Sequence, residues 1–151
     1  MKTLHGLLIL LAALLTVSCA SHRQVPSGES PRFDKEQVWQ LTSLQGRPLS
    51  AGSAEVLLMF YPDGNALRGR IACNRYFADY SAKPEKTTAE QTSYAIRVTD
   101  IGGGDVQCPE GGMELQQRYL AALAKVTSCR LTAYTLVFYQ KDKEILKFEL
   151  Q

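Results

Sequence analysis

The sequence predicts an α+β fold: a curved antiparallel sheet of about seven or eight short strands packed around one helix near residues 110-126. Three observations predict it. Short apolar or alternating runs rich in Val, Ile, Leu and aromatic residues recur from Val38 to Leu150. Clusters of Gly, Pro, Asn and Asp separate them, as turns require. Only Glu110 to Val126 carries apolar residues at helical spacing, with Leu115, Tyr119, Ala122, Leu123 and Val126 recurring every three or four residues.

The first strand is Val38 to Leu44, closed by Gly46 and Pro48. Val56 to Tyr61 follows as an almost continuous apolar run, ending at Pro62-Asp63-Gly64-Asn65. Pro presets φ there, and Asp-Gly or Gly-Asn supplies the positive φ of a tight hairpin, so Ala66 to Ala72 reads as the return strand. Tyr76, Phe77 and Tyr80 mark another strand, and Tyr94 to Thr99 alternates with β-branched residues. The polar stretch Lys83 to Thr92 between them reads as a loop with a short strand. Pro109 stands where a helix start tolerates it. Two strands finish the domain: Ser128 to Tyr139, broken near Ala133-Tyr134, and Glu144 to Leu150, with Asp142 marking their turn. The apolar face comes from Trp39, Leu41, Leu58, Phe60, Ile71, Ile96, Leu136, Phe138 and Leu146.

The N-terminus has another character. Lys2 precedes the apolar run Leu7 to Leu15, and Thr16-Val17-Ser18 leads to Cys19. A basic start, a short apolar core and a small residue before the cut describe a secretory signal, too short to span a bilayer. A cysteine at the cleavage point resembles the lipobox of bacterial lipoproteins, with Thr16 where Leu, Val or Ile is usual. Cys19 is therefore the expected lipidation site, bearing acyl chains such as palmitate. Ala20 to Pro31 is polar and rich in Ser, Pro and Gly, a tether rather than a packed segment. The expected organisation is signal peptide 1-18, lipidated N-terminus and tether 19-35, and one domain 36-151. Ala20 after the cysteine resembles lipoproteins sent to the outer membrane, so the expected place is the bacterial envelope, anchored by lipid and facing the periplasm.

Composition excludes several classes. There are 17 basic and 15 acidic side chains, interspersed and without a long basic run. Nucleic-acid binding and a polybasic membrane patch are unsupported by such a balance. The two histidines, His5 and His22, precede the predicted domain, which removes Cys-His and Ser-His-Asp pairs and the commonest metal ligand. No Cys-x-x-Cys pair is present, so no metal or other cofactor is expected.

With Cys19 acylated, Cys73, Cys108 and Cys129 remain, and three single pairings are open. Cys129 shares a strand face with Leu131 and Ala133 and suits a small buried group. Cys73 and Cys108 sit at element ends beside turn residues, which favours their pairing. Arg70 and Arg75 near Cys73 also allow a reactive thiol, but no general base accompanies it. Asn74 fits a local turn. Gly102-Gly103-Gly104-Asp105 lacks the ending of a phosphate loop and reads as a flexible connection. Asp79, Glu85 and Asp100 have no spacing that favours paired-carboxylate chemistry. Tyr76, Phe77 and Tyr80 form the one candidate binding surface. Either Tyr76 and Ala78 are buried with Phe77 exposed, or the reverse.

Trp39-x-Leu41, Leu44-x-Gly46, Phe60-x-Pro62-Asp63-Gly64, Gly69-x-x-x-Cys73-Asn74, Tyr80, Cys108-Pro109, Tyr119-x-x-x-Leu123 and Leu136-x-Phe138 follow one another in the order of a known family. Over residues 36 to 150 the chain resembles the META domain family, which includes bacterial heat-shock lipoproteins. It departs at Ala72 and Ala78, where the family carries Gly, at Gly104, where Thr is common, and at Gln116, where Glu is usual. The resemblance implies envelope location, links to stress or antibiotic tolerance in some members, and no established catalytic activity. The expected role is thus non-enzymatic binding of an envelope protein or small ligand by a membrane-anchored lipoprotein. Alternatives are a lysozyme-inhibitor-like protein, a secretion-system assembly factor, or a lipid-binding half-barrel.

Overall fold

A computed structural model describes residues 30-109 and 111-151. The expected signal peptide, Cys19 and most of the expected tether lie outside them. Nine strands follow one another: β1 (Val38–Leu44), β2 (Arg47–Pro48), β3 (Val56–Tyr61), β4 (Ala66–Ile71), β5 (Asn74–Thr87), β6 (Gln91–Gly103), β7 (Ser128–Thr132), β8 (Thr135–Gln140) and β9 (Lys143–Leu150), with α1 (Gly112–Leu123) between β6 and β7. All pairings are antiparallel between neighbours, and β9 also pairs with β1, Trp39 opposite Leu150 and Leu44 opposite Leu146.

That last pairing corrects the expected curved sheet. The sheet closes into an eight-stranded barrel, with β2 a short hairpin arm on β1. Eight strands enclose a space that side chains can fill, and here they do. Trp39, Leu58, Phe60, Leu67, Leu136, Phe138, Leu146 and Phe148 are fully buried. Every residue of the predicted apolar face is among the buried set.

The hairpin turns define two ends. At one, β1 begins and β9 finishes, beside the β3–β4 turn and the tip of β7–β8, where Leu150 N–H donates to Tyr134 O. Pro62–Gly64 forms a 3₁₀ turn there, and Asn65 (φ 49°) supplies the left-handed residue. At the other end lie the β1–β2 turn, the Ala72-Cys73 turn, the β8–β9 turn and α1. The helix starts at Gly112, later than Pro109 suggested, and Gly112 sits tight against the disulfide: a Cβ there would stand 2.7 Å from Cys108 Cβ.

Two further expectations are corrected. Lys83 to Thr92 is mostly strand, since β5 runs to Thr87 and β6 starts at Gln91. β4 reaches β5 only as far as Asp79, so Ser81 to Thr87 are all exposed and read as polar. Lys83, Pro84 and Lys86 guard this edge against strand addition. Phe33, assigned to the tether, packs against the core. The folded part therefore begins before residue 36.

Ala72, where the resembled pattern has Gly, stands in a conformation that Gly would adopt more easily. Its φ is 52°, a left-handed conformation that costs an L side chain about 1–2 kcal/mol. Ala72→Gly is expected to raise stability by about 0.5–1 kcal/mol after the backbone entropy of Gly is counted. Urea midpoints check this. A lower midpoint would mean that the packing of the Ala72 methyl outweighs the strain.

Candidate functional site

Where the barrel meets α1, the sequence motif Gly69-x-x-x-Cys73-Asn74 becomes a single structural unit. Cys73 and Cys108 are joined as a disulfide with Cα atoms 5.6 Å apart, while Cys129 is free and buried. Asn74, first residue of β5, is 3 % exposed. Its Nδ2 donates to Val106 O at 2.8 Å and to Gln116 Oε1 at 2.9 Å, and its Oδ1 accepts from Val106 N–H at 3.2 Å. Gln116 Nε2 donates onward to Gly104 O at 2.8 Å. An amide at position 116 can accept and donate at once, which a carboxylate cannot. Every partner in this network is satisfied, the condition under which buried polar groups rigidify a fold.

The glycine run is consequently no flexible connection. Gly102 and Gly103 end β6, and a Cβ on Gly102 would lie 2.4 Å from the Phe77 ring. A Cβ on Gly104 would lie 2.6 Å from Asn74 Oδ1, so a Thr there would displace the Asn74 side chain as placed here.

Gly69 provides the other half of the motif. It faces inward, and the Tyr76 ring crosses the space its missing side chain leaves. Tyr76 Oη donates to Leu57 O at 3.0 Å and so accepts from Tyr119 Oη, 2.7 Å away. Burial pushes both tyrosine hydroxyls far above their ordinary range. The Cys129 thiol is likewise pushed up by burial, which keeps it protonated and unreactive.

The expected surface of Tyr76, Phe77 and Tyr80 does not exist as one face. Tyr76 and Tyr80 point into the barrel with Ala78, whereas Phe77 points out and is 52 % exposed. Strand alternation dictates this split. Phe77 lies over Gly102 under the Arg68 guanidinium, 5.9 Å from the ring centroid.

A different feature gathers polar groups. Beside α1 runs an open groove of about 660 Å³, lined by Gln45, Arg47 of β2, Glu114, Arg118 and Ala122 of α1, Lys125, Gln140, and Lys143 and Ile145 of β9. A neighbouring depression shares Arg47, Glu114 and Arg118 and adds the apolar Leu49 and Leu115. Four cations thus face one carboxylate, and Glu114 stands 4.0 Å from Arg118. Such a groove can hold an anionic group. Sequence reasoning missed it because its cations come from three separate segments, β2, α1 with the residues directly after it, and β9, each an ordinary solvated stretch by itself. Among the described residues no group of three or more His, Cys, Asp or Glu could hold a metal.

A family model for the META domain matches residues 33–151. Two solved structures share the fold. The NMR structure of a protein from Burkholderia xenovorans is 17% identical with a TM-score of 0.57, covering 86% of this chain and 97% of its own. A second NMR structure is 18% identical with a TM-score of 0.51, covering 77% and 90%. The comparison with curated proteins found no match.

Proposed function

We propose that this chain, which belongs to the META domain family, is a lipid-anchored envelope protein that works by binding, and that the groove beside α1 receives an anionic group of an envelope partner. The groove carries the reading: Arg47, Arg118, Lys125 and Lys143 converge against Glu114 alone, in a chain whose overall charge is nearly balanced. It lies at the α1 end of the barrel, opposite the end at which β1 begins. A domain tethered through Cys19 would therefore present it away from the membrane. The lipobox-like Cys19 and the polar tether support the anchoring.

Non-enzymatic action is supported by the placement of the reactive side chains. Tyr76, Tyr119 and Cys129 are buried, protonated, and occupied in packing. An acyl-chain carrier needs an empty interior, whereas this barrel axis holds Trp39, Phe60, Phe138 and Phe148.

Titration with tripolyphosphate and with a hexaglutamate peptide, followed by amide NMR shifts, tests the groove and tells phosphate from carboxylate. Shifts should centre on Gln45, Arg118, Lys125 and Lys143, weaken with salt, and fall at least tenfold in affinity when Arg118, Lys125 and Lys143 are all changed to Glu. Shifts centred instead on Arg68, Arg70 and Arg75 would move the site to another face and refute this one.

A further inference from the structure

The barrel end opposite α1 is closed by a side chain that belongs to no strand. The Phe33 ring is stacked on Phe60, with centroids 4.1 Å apart and planes 10° apart. It is also stacked on Tyr94, at 4.6 Å and 27°. Tyr80 meets it edge-on at 5.7 Å and 80°, and meets Phe60 edge-on at 5.2 Å and 90°. Phe33 therefore lies against two stacked rings with a third across its edge, the arrangements that aromatic quadrupoles favour.

The rings around it and the ring itself are held differently. Phe60, Tyr80 and Tyr94 stand on β3, β5 and β6, where the ladder fixes them. Phe33 precedes β1 in an irregular segment. Glu36 N–H donates to Asp34 Oδ1 and Gln37 N–H to Asp34 O, bonds that close a turn within that segment. Withdrawal of Phe33 would break no strand pairing and would leave three oriented rings around a ring-sized gap. Rigid walls with a removable occupant are the parts of a preorganised site.

We propose that Phe60, Tyr80 and Tyr94 form a slot for an aromatic side chain of a partner polypeptide, filled in cis by Phe33 until the partner displaces it. The occupant class follows from the present one, since the slot already accepts a Phe ring presented by an irregular peptide. Phe33 lies 14 residues after Cys19, so in an anchored molecule the segment that fills the slot is the one leading to the membrane. Occupation in cis lowers apparent affinity by the fraction of time the slot stands open.

The test uses the full chain carrying Phe33→Ala and the heptapeptide Ser-Pro-Arg-Phe-Asp-Lys-Glu, the chain's own residues 30-36, supplied in trans. The variant should bind it saturably, with aromatic NMR shifts at Phe60, Tyr80 and Tyr94. The same peptide with Ala for Phe should not bind, and the unaltered chain should bind at least tenfold more weakly. Absence of binding to the folded variant overturns the proposal, as does equal binding to both chains. A variant that loses its near-UV and far-UV dichroism overturns it too, because Phe33 would then be an indispensable core residue. Phe33→Trp, which refills the slot, should bind as weakly as the unaltered chain.

Discussion

Cys73→Ser is expected to lower the melting temperature by about 15 °C. The bond closes a span of 35 residues, and loop-closure entropy assigns such a cross-link about 4 kcal/mol. A domain of about 120 residues has an unfolding entropy near 0.25 kcal/mol/K, which converts one figure into the other. The bond ties the β4–β5 turn to the segment entering α1, so its loss releases both ends of one link. Mild reduction of the unaltered protein should reproduce the variant's melting curve, and reduction should add little to the variant. An unchanged melting temperature on reduction would show that the bond constrains nothing. A thiol with a chemical role would instead predict lost activity at full stability.

Gly69→Ala is expected to cost on the order of 4–5 kcal/mol, enough to unfold a domain of ordinary stability in mild denaturant. A Cβ at this position would sit 2.0 Å from Leu57 O and 2.3 Å from the Tyr76 ring. Neither can yield cheaply. Leu57 belongs to a paired strand, and moving Tyr76 breaks its bonds to Leu57 O and Tyr119. Overpacking alone costs about 1–3 kcal/mol, and each buried group left unpaired adds about 1–3 kcal/mol. Urea unfolding of Gly69→Ala beside Gly69→Ala/Tyr76→Phe checks the mechanism: the double variant, already lacking the Tyr76 hydroxyl, should lose little more than the single. A Gly69→Ala protein as stable as the unaltered one would contradict the packing described.

The element pattern was legible because it is local. Val38–Leu44, Val56–Tyr61 and the break at Ala133-Tyr134 each announce themselves through alternation and turn residues, and the structure places them there. Barrel closure was not legible. Trp39 and Leu150 alternate in the same way whether their strands are free edges or partners, so closure leaves no mark on either strand alone. The long β5–β6 hairpin was hidden for the opposite reason, because Ser81 to Thr87 have no core to face and carry polar residues.

At the candidate site, the residues of the motif were visible but their roles were not. Cys73, Asn74 and Gly69 stood out in the sequence, yet the partners that explain them, Cys108, Gln116 and Tyr76, depend on the fold. Phe33 was lost among Ser, Pro and charged neighbours, a single aromatic in a tether-like stretch. Its one signal was being the only large apolar side chain between Val25 and Val38. The α1 groove had no sequence signal, because nothing in Arg47, Arg118, Lys125 or Lys143 taken singly differs from a solvated surface charge.

The proposed binding of an anionic group in the α1 groove, by a domain proposed to be membrane-tethered, is most directly tested in intact cells, by photo-cross-linking from a reactive residue placed at Gln140. One discrete adduct is predicted, lost when Arg118, Lys125 and Lys143 are changed to Glu while the protein stays folded and membrane-retained. An adduct that survives those three changes, or none from Gln140 when a probe at Phe77 yields one, would contradict it.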